Sequence, residues 1–335
     1  MKPIIPFALL GALLAVGAAN GAATDPVGYV SIGDTSVGAP AAIKANTDVH
    51  VSIPLLRTAE FAGTVAGTGA GTVTVTGAAF TVNQWAPATP YVLVIESGAK
   101  SGMVVPILSN TANQLTVGLG SFNLTGVNNG DSLSIRKAWT VASFMDGASS
   151  KTGLILFAFS NNSTGINVSS DLQYFYNGAG WEDGDGNPSD NAILYPGEGF
   201  IIRSGATPVT SFVLAGEVPT AKSYVQVGTS STGPRDTFFS YVTPVTEDLG
   251  GVNGSGAGFG AGDILFTFNN AAAGQNKSGT PYFYTGSGWE DGDGNPADGF
   301  DLTGGTALLY RRATAPTTGL LDWQNEQAYV PNLGL

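Results

Sequence analysis

The chain has 335 residues, a formal net charge of −12 and a pI near 4.3, with 43% hydrophobic but only 11% charged residues, 48 glycines and no cysteine. Disulfides and thiolate metal sites are therefore excluded, and the scarcity of Lys and Arg argues against nucleic acid, whose phosphates are held by clustered cations. Low charge with ample apolar content also argues against general disorder, and the length allows two or three domains with real cores.

The N-terminus, "MKPIIPFALLGALLAVGAANGAATDPVGYV", has one cation at Lys2, an apolar run over 4–16 and a small-residue exit. This is the pattern of a secretory leader spanning 1–23, cleaved near Ala23, and the run is too short to span a bilayer comfortably. No second apolar run follows, so no transmembrane anchor is expected. The expected location is secreted, in the extracellular space or on the outer cell surface.

Further along, "GTVTVTGAAFTV" alternates Val and Thr from Val73 to Thr76, which suits a half-buried strand. "TPYVLVIESGAKSGMVVPILSNTANQLTVGL" gives three apolar runs separated by "SGAKSG" and "SNTANQ", which read as turns, and "GDSLSIRKAWTV" adds a strand around Leu133 and Ile135. No apolar stripe of helical period persists beyond the leader. The expectation is an all-β, mostly antiparallel protein with an N-terminal barrel or sandwich-like domain over 24–138.

The second half repeats itself. "LILFAFSNN" (154–162) answers "DILFTFNNA" (263–271), "YFYNGAGWEDGDGNPSD" (174–190) answers "YFYTGSGWEDGDGNPAD" (282–298), and "LYPGEGFIIR" (194–203) aligns with "LTGGTALLYR" (302–311). Two related β modules are expected, over 139–216 and 217–335. Each half has its own aromatic and aliphatic set, which predicts independent folding from about Trp139 onward.

"VSIPLLRTAEFAGTVAG" (51–67), "VLVIESGAKSGMVVPILSNTANQLTV" (92–117), "ILFTFNNAAAGQNKSGTPYFYTGSGW" (264–289), the early "DPVGYV" and the "PGEGFIIR" strand resemble an uncharacterised family of exported β-rich proteins, best known from Verrucomicrobia-type bacteria. The resemblance covers most of the chain after the leader. It implies export and a β fold, and no assigned activity.

The doubled acidic knot is the main chemical candidate. Asp183, Asp185, Asn187 and Asp190, with Asp291, Asp293, Asn295 and Asp298, place hard oxygens at alternate positions, as Ca²⁺ requires. The EF-hand pattern fails, because Pro188 and Pro296 stand where the sharp turn needs glycine, and Leu194 and Leu302 where a bidentate Glu should sit. The competing expectation is a solvated turn with no cofactor, since Asp-Gly and Gly-Asn are strong turn formers.

Tyr174, Tyr176, Trp181, Tyr282, Tyr284 and Trp289 offer a second candidate, rings stacking on a sugar, against the usual role of strand aromatics as core. Catalytic patterns are lacking. The single histidine, His50, alternates within a strand, no G-x-S-x-G elbow exists, and the glycine runs lack the Lys-Ser/Thr of a phosphate loop. The expected function is a non-enzymatic structural or interaction protein of the cell surface or extracellular matrix, with self-association or a surface glycan as partner. The alternative is a carbohydrate-binding module.

Overall fold

The computed structural model describes residues 27–330 apart from 162, 241, 253, 254, 257 and 328, so the expected leader lies outside the described residues. The protein is all-β. Six strands, Ala59–Gly69, Thr72–Val75, Gln114–Val117, Val104–Asn110, Tyr91–Ile95 and Ser132–Lys137 in spatial order, close into an antiparallel barrel. Alternation fills its interior: Val65, Val73, Val75, Leu93, Ile95, Val105, Leu115, Leu133 and Ile135 all point inward and are buried. Register shifts at Val65/Gly67, Ala59/Phe61 and Ile107/Ser109 supply local bends of the kind that let a short sheet close on itself.

Two five-stranded antiparallel sheets follow the same plan. The first runs Trp181–Asp183, Leu172–Tyr176, Ile155–Ala158, Gly199–Arg203, Asp48–Ser52, and the second runs Trp289–Glu290, Thr280–Tyr284, Ile264–Thr267, Leu308–Arg312, Arg235–Phe239. A long strand pair accompanies each sheet: Val27–Ser31 with Val213–Glu217 beside the first, and Ser223–Thr229 with Gly319–Asn325 beside the second. A separate hydrophobic core lies under each sheet.

This pairing divides the expected N-terminal domain over 24–138. Val27–Ser31 and Asp48–Ser52 are strands of the first module, and only 59–137 forms the barrel. The barrel is thus inserted in the first module, where the second connects Ser240 to Glu247 directly through 241–246. Its two ends pair with each other, Ala59 opposite Arg136, so it leaves and re-enters its host at one place. The outer face of Tyr91–Ile95 packs on Ile193 and Tyr195 of the first module. That second contact explains why "YVLVI" is buried throughout and lacks a polar face.

Polar contacts fix the barrel at two points. Buried Arg136 reaches Glu217 at 2.5 Å, Glu96 at 3.0 Å and the Arg57 carbonyl at 2.7 Å, tying the root of the barrel to its host. On the other side Lys100 donates to the Tyr224 hydroxyl at 2.9 Å and pairs with Asp322. Gly102, at φ +89°, lies so close to the Lys222 carbonyl that a Cβ would come within 1.8 Å of it; only glycine fits.

Candidate functional site

In each copy the acidic knot folds into the same hydrogen-bonded turn. The Asp183 carboxylate accepts from the Asp185 and Asn187 amides at 3.0 and 2.9 Å and from Asn187 Nδ2 at 3.0 Å. Asp291 does the same with Asp293 and Asn295, at 2.9, 2.9 and 3.1 Å. Gly186 and Gly294, both at φ +81°, make the reversal. The Asn187 side chain and the turn amides hold the Asp183 carboxyl below its ordinary range, and the Asn295 backbone and side chain do so for Asp291.

Asp190 and Asp298 serve elsewhere, each accepting from a tryptophan backbone amide, Trp181 N and Trp289 N, at 2.9 Å. A Cβ on Gly180 or Gly288 would meet that carboxylate at 2.8 Å, which accounts for the Gly-Trp pair in both copies. Asp185 and Asp293 remain exposed. The eight candidate metal ligands are therefore split among an Asp-Asn turn, a tryptophan amide and exposed positions. Among the described residues no three His, Asp or Glu side chains gather as a metal site.

The six candidate sugar-stacking rings are mostly core. Trp181 and Trp289 are 1% and 2% exposed, and Tyr174 and Tyr282 are buried. Tyr176 and Tyr284 are half-buried, each tilted against its own tryptophan at 5.4 and 5.1 Å. Of the six, Tyr174 and Tyr282 also line clefts on their respective sheets.

The junction of the two modules carries a constellation that sequence reading missed. Asp48 accepts Arg203 Nε and Nη2 at 2.7 and 2.8 Å and the Asn276 backbone amide at 2.7 Å, while Asn276 Oδ1 accepts Arg203 Nη2 at 2.9 Å. Asp236 accepts Arg311 Nε and Nη2 at 2.7 and 2.9 Å and the Asn167 amide at 2.7 Å, and Asn167 Oδ1 accepts Arg311 Nη2 at 3.1 Å. Each module's loop thus clamps the ion pair of the other. Asn167 and Asn276 both sit in the left-handed region, φ 55° and 52°, where asparagine is among the best-tolerated residues. Each guanidinium lies 5.1 Å over a ring of its own sheet, Phe157 or Phe266.

Burial opposes ionisation of Asp48, but Arg203 and the Asn276 amide outweigh it and hold the carboxyl below its ordinary value. The backbone is exchanged as well, Ser52 N donating to Gly305 O and Ser240 N to Gly197 O, both at 2.9 Å. Between the clamps His50 stacks on Phe268 at 3.7 Å, and Phe238 stacks on Phe159 at 4.5 Å. Burial, with Lys277 adding to it, pushes His50 down to about 3, so the ring is neutral packing. The signal for the clamps was present in the aligned Arg203 and Arg311, but the partner carboxylates lie outside the repeated segments.

Compared with known proteins, the chain matches no family model, no curated protein and no solved structure.

Proposed function

We propose that the protein is an exported structural or interaction protein of the cell surface or extracellular matrix, acting by presenting a rigid surface without catalysis. The reciprocal Asp–Arg–Asn clamps carry this reading. The most strongly organised polar groups of the two sheets are spent on fastening the modules to each other, and the repeated acids and tryptophans on turns and core. A partner would then be met by the outside of a three-part body, with self-association and surface glycan as the two candidate modes; neither nucleic acid nor a membrane anchor is part of the proposal.

Fractionation of producing cells tests the location, with N-terminal sequencing of the exported protein expected to begin at Thr24 or within about two residues of it. Recovery in the cytoplasm alone, or turnover of a peptide or glycan substrate by the purified protein, would overturn the reading.

A further inference from the structure

Where the barrel meets the first sheet, two adjoining clefts of about 190 and 270 Å³ share one set of walls. Together they reach the scale of small-ligand sites, roughly 300–1,000 Å³. Phe122 of the barrel, Tyr174 and Tyr195 of the first module supply rings, and Asn161, Glu198 and Gln226 supply hydrogen-bonding groups. Among the described residues no lysine, arginine or histidine lines either cleft.

Two polar groups here are poorly used by the fold. Among the described residues Asn161 Oδ1 is buried without a hydrogen-bond partner, and the half-buried Glu198 carboxylate accepts one long bond, from Tyr195 N at 3.4 Å. An unmet buried acceptor is unfavourable, so a ligand that donates to it recovers a real penalty. Burial lifts the Glu198 carboxyl to about 7, so near neutrality it can either donate or accept.

The second sheet shows that the fold does not need Tyr195 or Glu198. Its equivalent corner has Thr303 for Tyr195 and Thr306 for Glu198, by the alignment that places Arg203 and Arg311 in the same register. Asn270, standing where Asn161 does, is fully spent on His50, accepting from its amide at 2.8 Å and donating to its carbonyl at 2.9 Å. We propose that the groove between the barrel and the first sheet, walled by Phe122, Tyr174 and Tyr195 and equipped with Asn161, Glu198 and Gln226, binds a neutral saccharide. Aromatic walls match the apolar faces of a sugar ring, amide and carboxyl groups match its hydroxyls, and the absence of lining cations disfavours an anionic ligand. The assignment holds whether or not the protein self-associates or is exported.

The test is saturation-transfer NMR with the full chain against soluble neutral di- and trisaccharides of glucose, galactose, xylose and mannose, followed by calorimetry. At least one is expected to bind, with the dissociation constant rising tenfold or more in Tyr195→Ala and in Glu198→Gln. Phe300→Ala, on the equivalent corner of the second sheet, should leave binding unchanged. Should Tyr195→Ala fail to fold, Glu198→Gln and Asn161→Ala decide, since both keep the aromatic walls. Absence of binding across the panel, binding indifferent to the groove variants, or binding of oligolysine lost in Glu198→Gln, which would mark a cationic ligand, each overturns the assignment.

Discussion

The two modules have the same strand order and the same clamp, yet they differ at the corner over each sheet. In the second, Thr303 and Thr306 leave an open cleft of about 490 Å³ beside Phe300 and Tyr282; in the first, Tyr195 and Glu198 sit there beneath the barrel. What the modules hold in common is what the architecture requires, namely the Asp-Asn turn, the Gly-Trp pair and the reciprocal ion pairs. What they do not hold in common is free to serve a ligand. The acidic knot attracts attention in the sequence because it is repeated, and the structure gives that repetition a local, architectural cause.

The largest expected effect comes from dividing the chain. A protein beginning at Trp139 lacks Asp48–Ser52 and Val27–Ser31, which pair with Gly199–Arg203 and Val213–Glu217, and is expected to lose cooperative unfolding. Replacing 59–137 with a short Gly-Ser link, together with Glu217→Gln because Arg136 leaves with the barrel, should keep the two sheets and a single melting transition. Native-like melting of the chain from Trp139 would show that the first module does not depend on its N-terminal strands.

Breaking either clamp comes next. Asp48→Ala and Asp236→Ala should each lower stability by about 3 kcal/mol in denaturant unfolding, by similar amounts, because each strands an arginine held by carboxylate and ring. A large loss in one with little in the other would break the equivalence of the two sides.

His50 gives an acid limb. Its folded value, about 3, lies below its unfolded one, so its contribution is complete above about pH 6.5 and is lost as the pH falls toward 3. Unfolding free energies over that window should fall less in His50→Phe, the residue at the equivalent place in the second sheet, with a difference on the order of 5 kcal/mol at the acid end. Parallel curves would remove His50 as the cause.

Glu198 has the opposite sign. Its folded value is raised to about 7, so its contribution is complete below about pH 4.5 and is lost as the pH rises through 7. Glu198→Gln should therefore stabilise the protein at pH 8, on the order of 2 kcal/mol, and change little at pH 4. Equal effects at both values would mean that the carboxyl is well solvated.

The smallest effect belongs to the exposed acids. Asp185→Asn with Asp293→Asn should stay within about 0.5 kcal/mol of the parent in calcium or in chelator. A calcium-dependent rise in melting temperature that these substitutions abolish would establish the metal reading.

Much of the fold was legible from local pattern. Val-Thr alternation at Val73–Thr76 and the apolar runs of 91–117 are barrel strands, and the aligned "LYPGEGFIIR" and "LTGGTALLYR" form equivalent strands of the two sheets. The domain boundary was not legible from those runs, because nothing in the composition at 57–59 marks the entry to an inserted barrel. A usable signal existed in "GYVSIG" (28–33) and "SYVQVG" (223–228), strands with the same role before each sheet, but it is short and separated from the long repeat. Glu198 lies inside the repeated "PGEGFIIR" segment without standing out there, since a single carboxyl becomes notable only when its burial and its sparse hydrogen bonding are seen together.

The paired ends of the barrel also bear on the order in which the chain can fold. Asp48 meets Arg203 155 positions later and the Asn276 amide 228 positions later, so the first sheet cannot close until most of the chain exists. Loop closure grows costlier with the length of chain to be searched, and topologies dominated by distant contacts fold slowly. The strand pairs that close the barrel lie all within 59–137, so it can form early. Once formed, it brings Ala59 beside Arg136 and takes that stretch out of the search, leaving the first sheet a loop roughly half as long to close. The insertion that interrupts the module in sequence is thus a folding aid, a prefabricated bracket around which the longest-range strand pair of the first sheet can assemble.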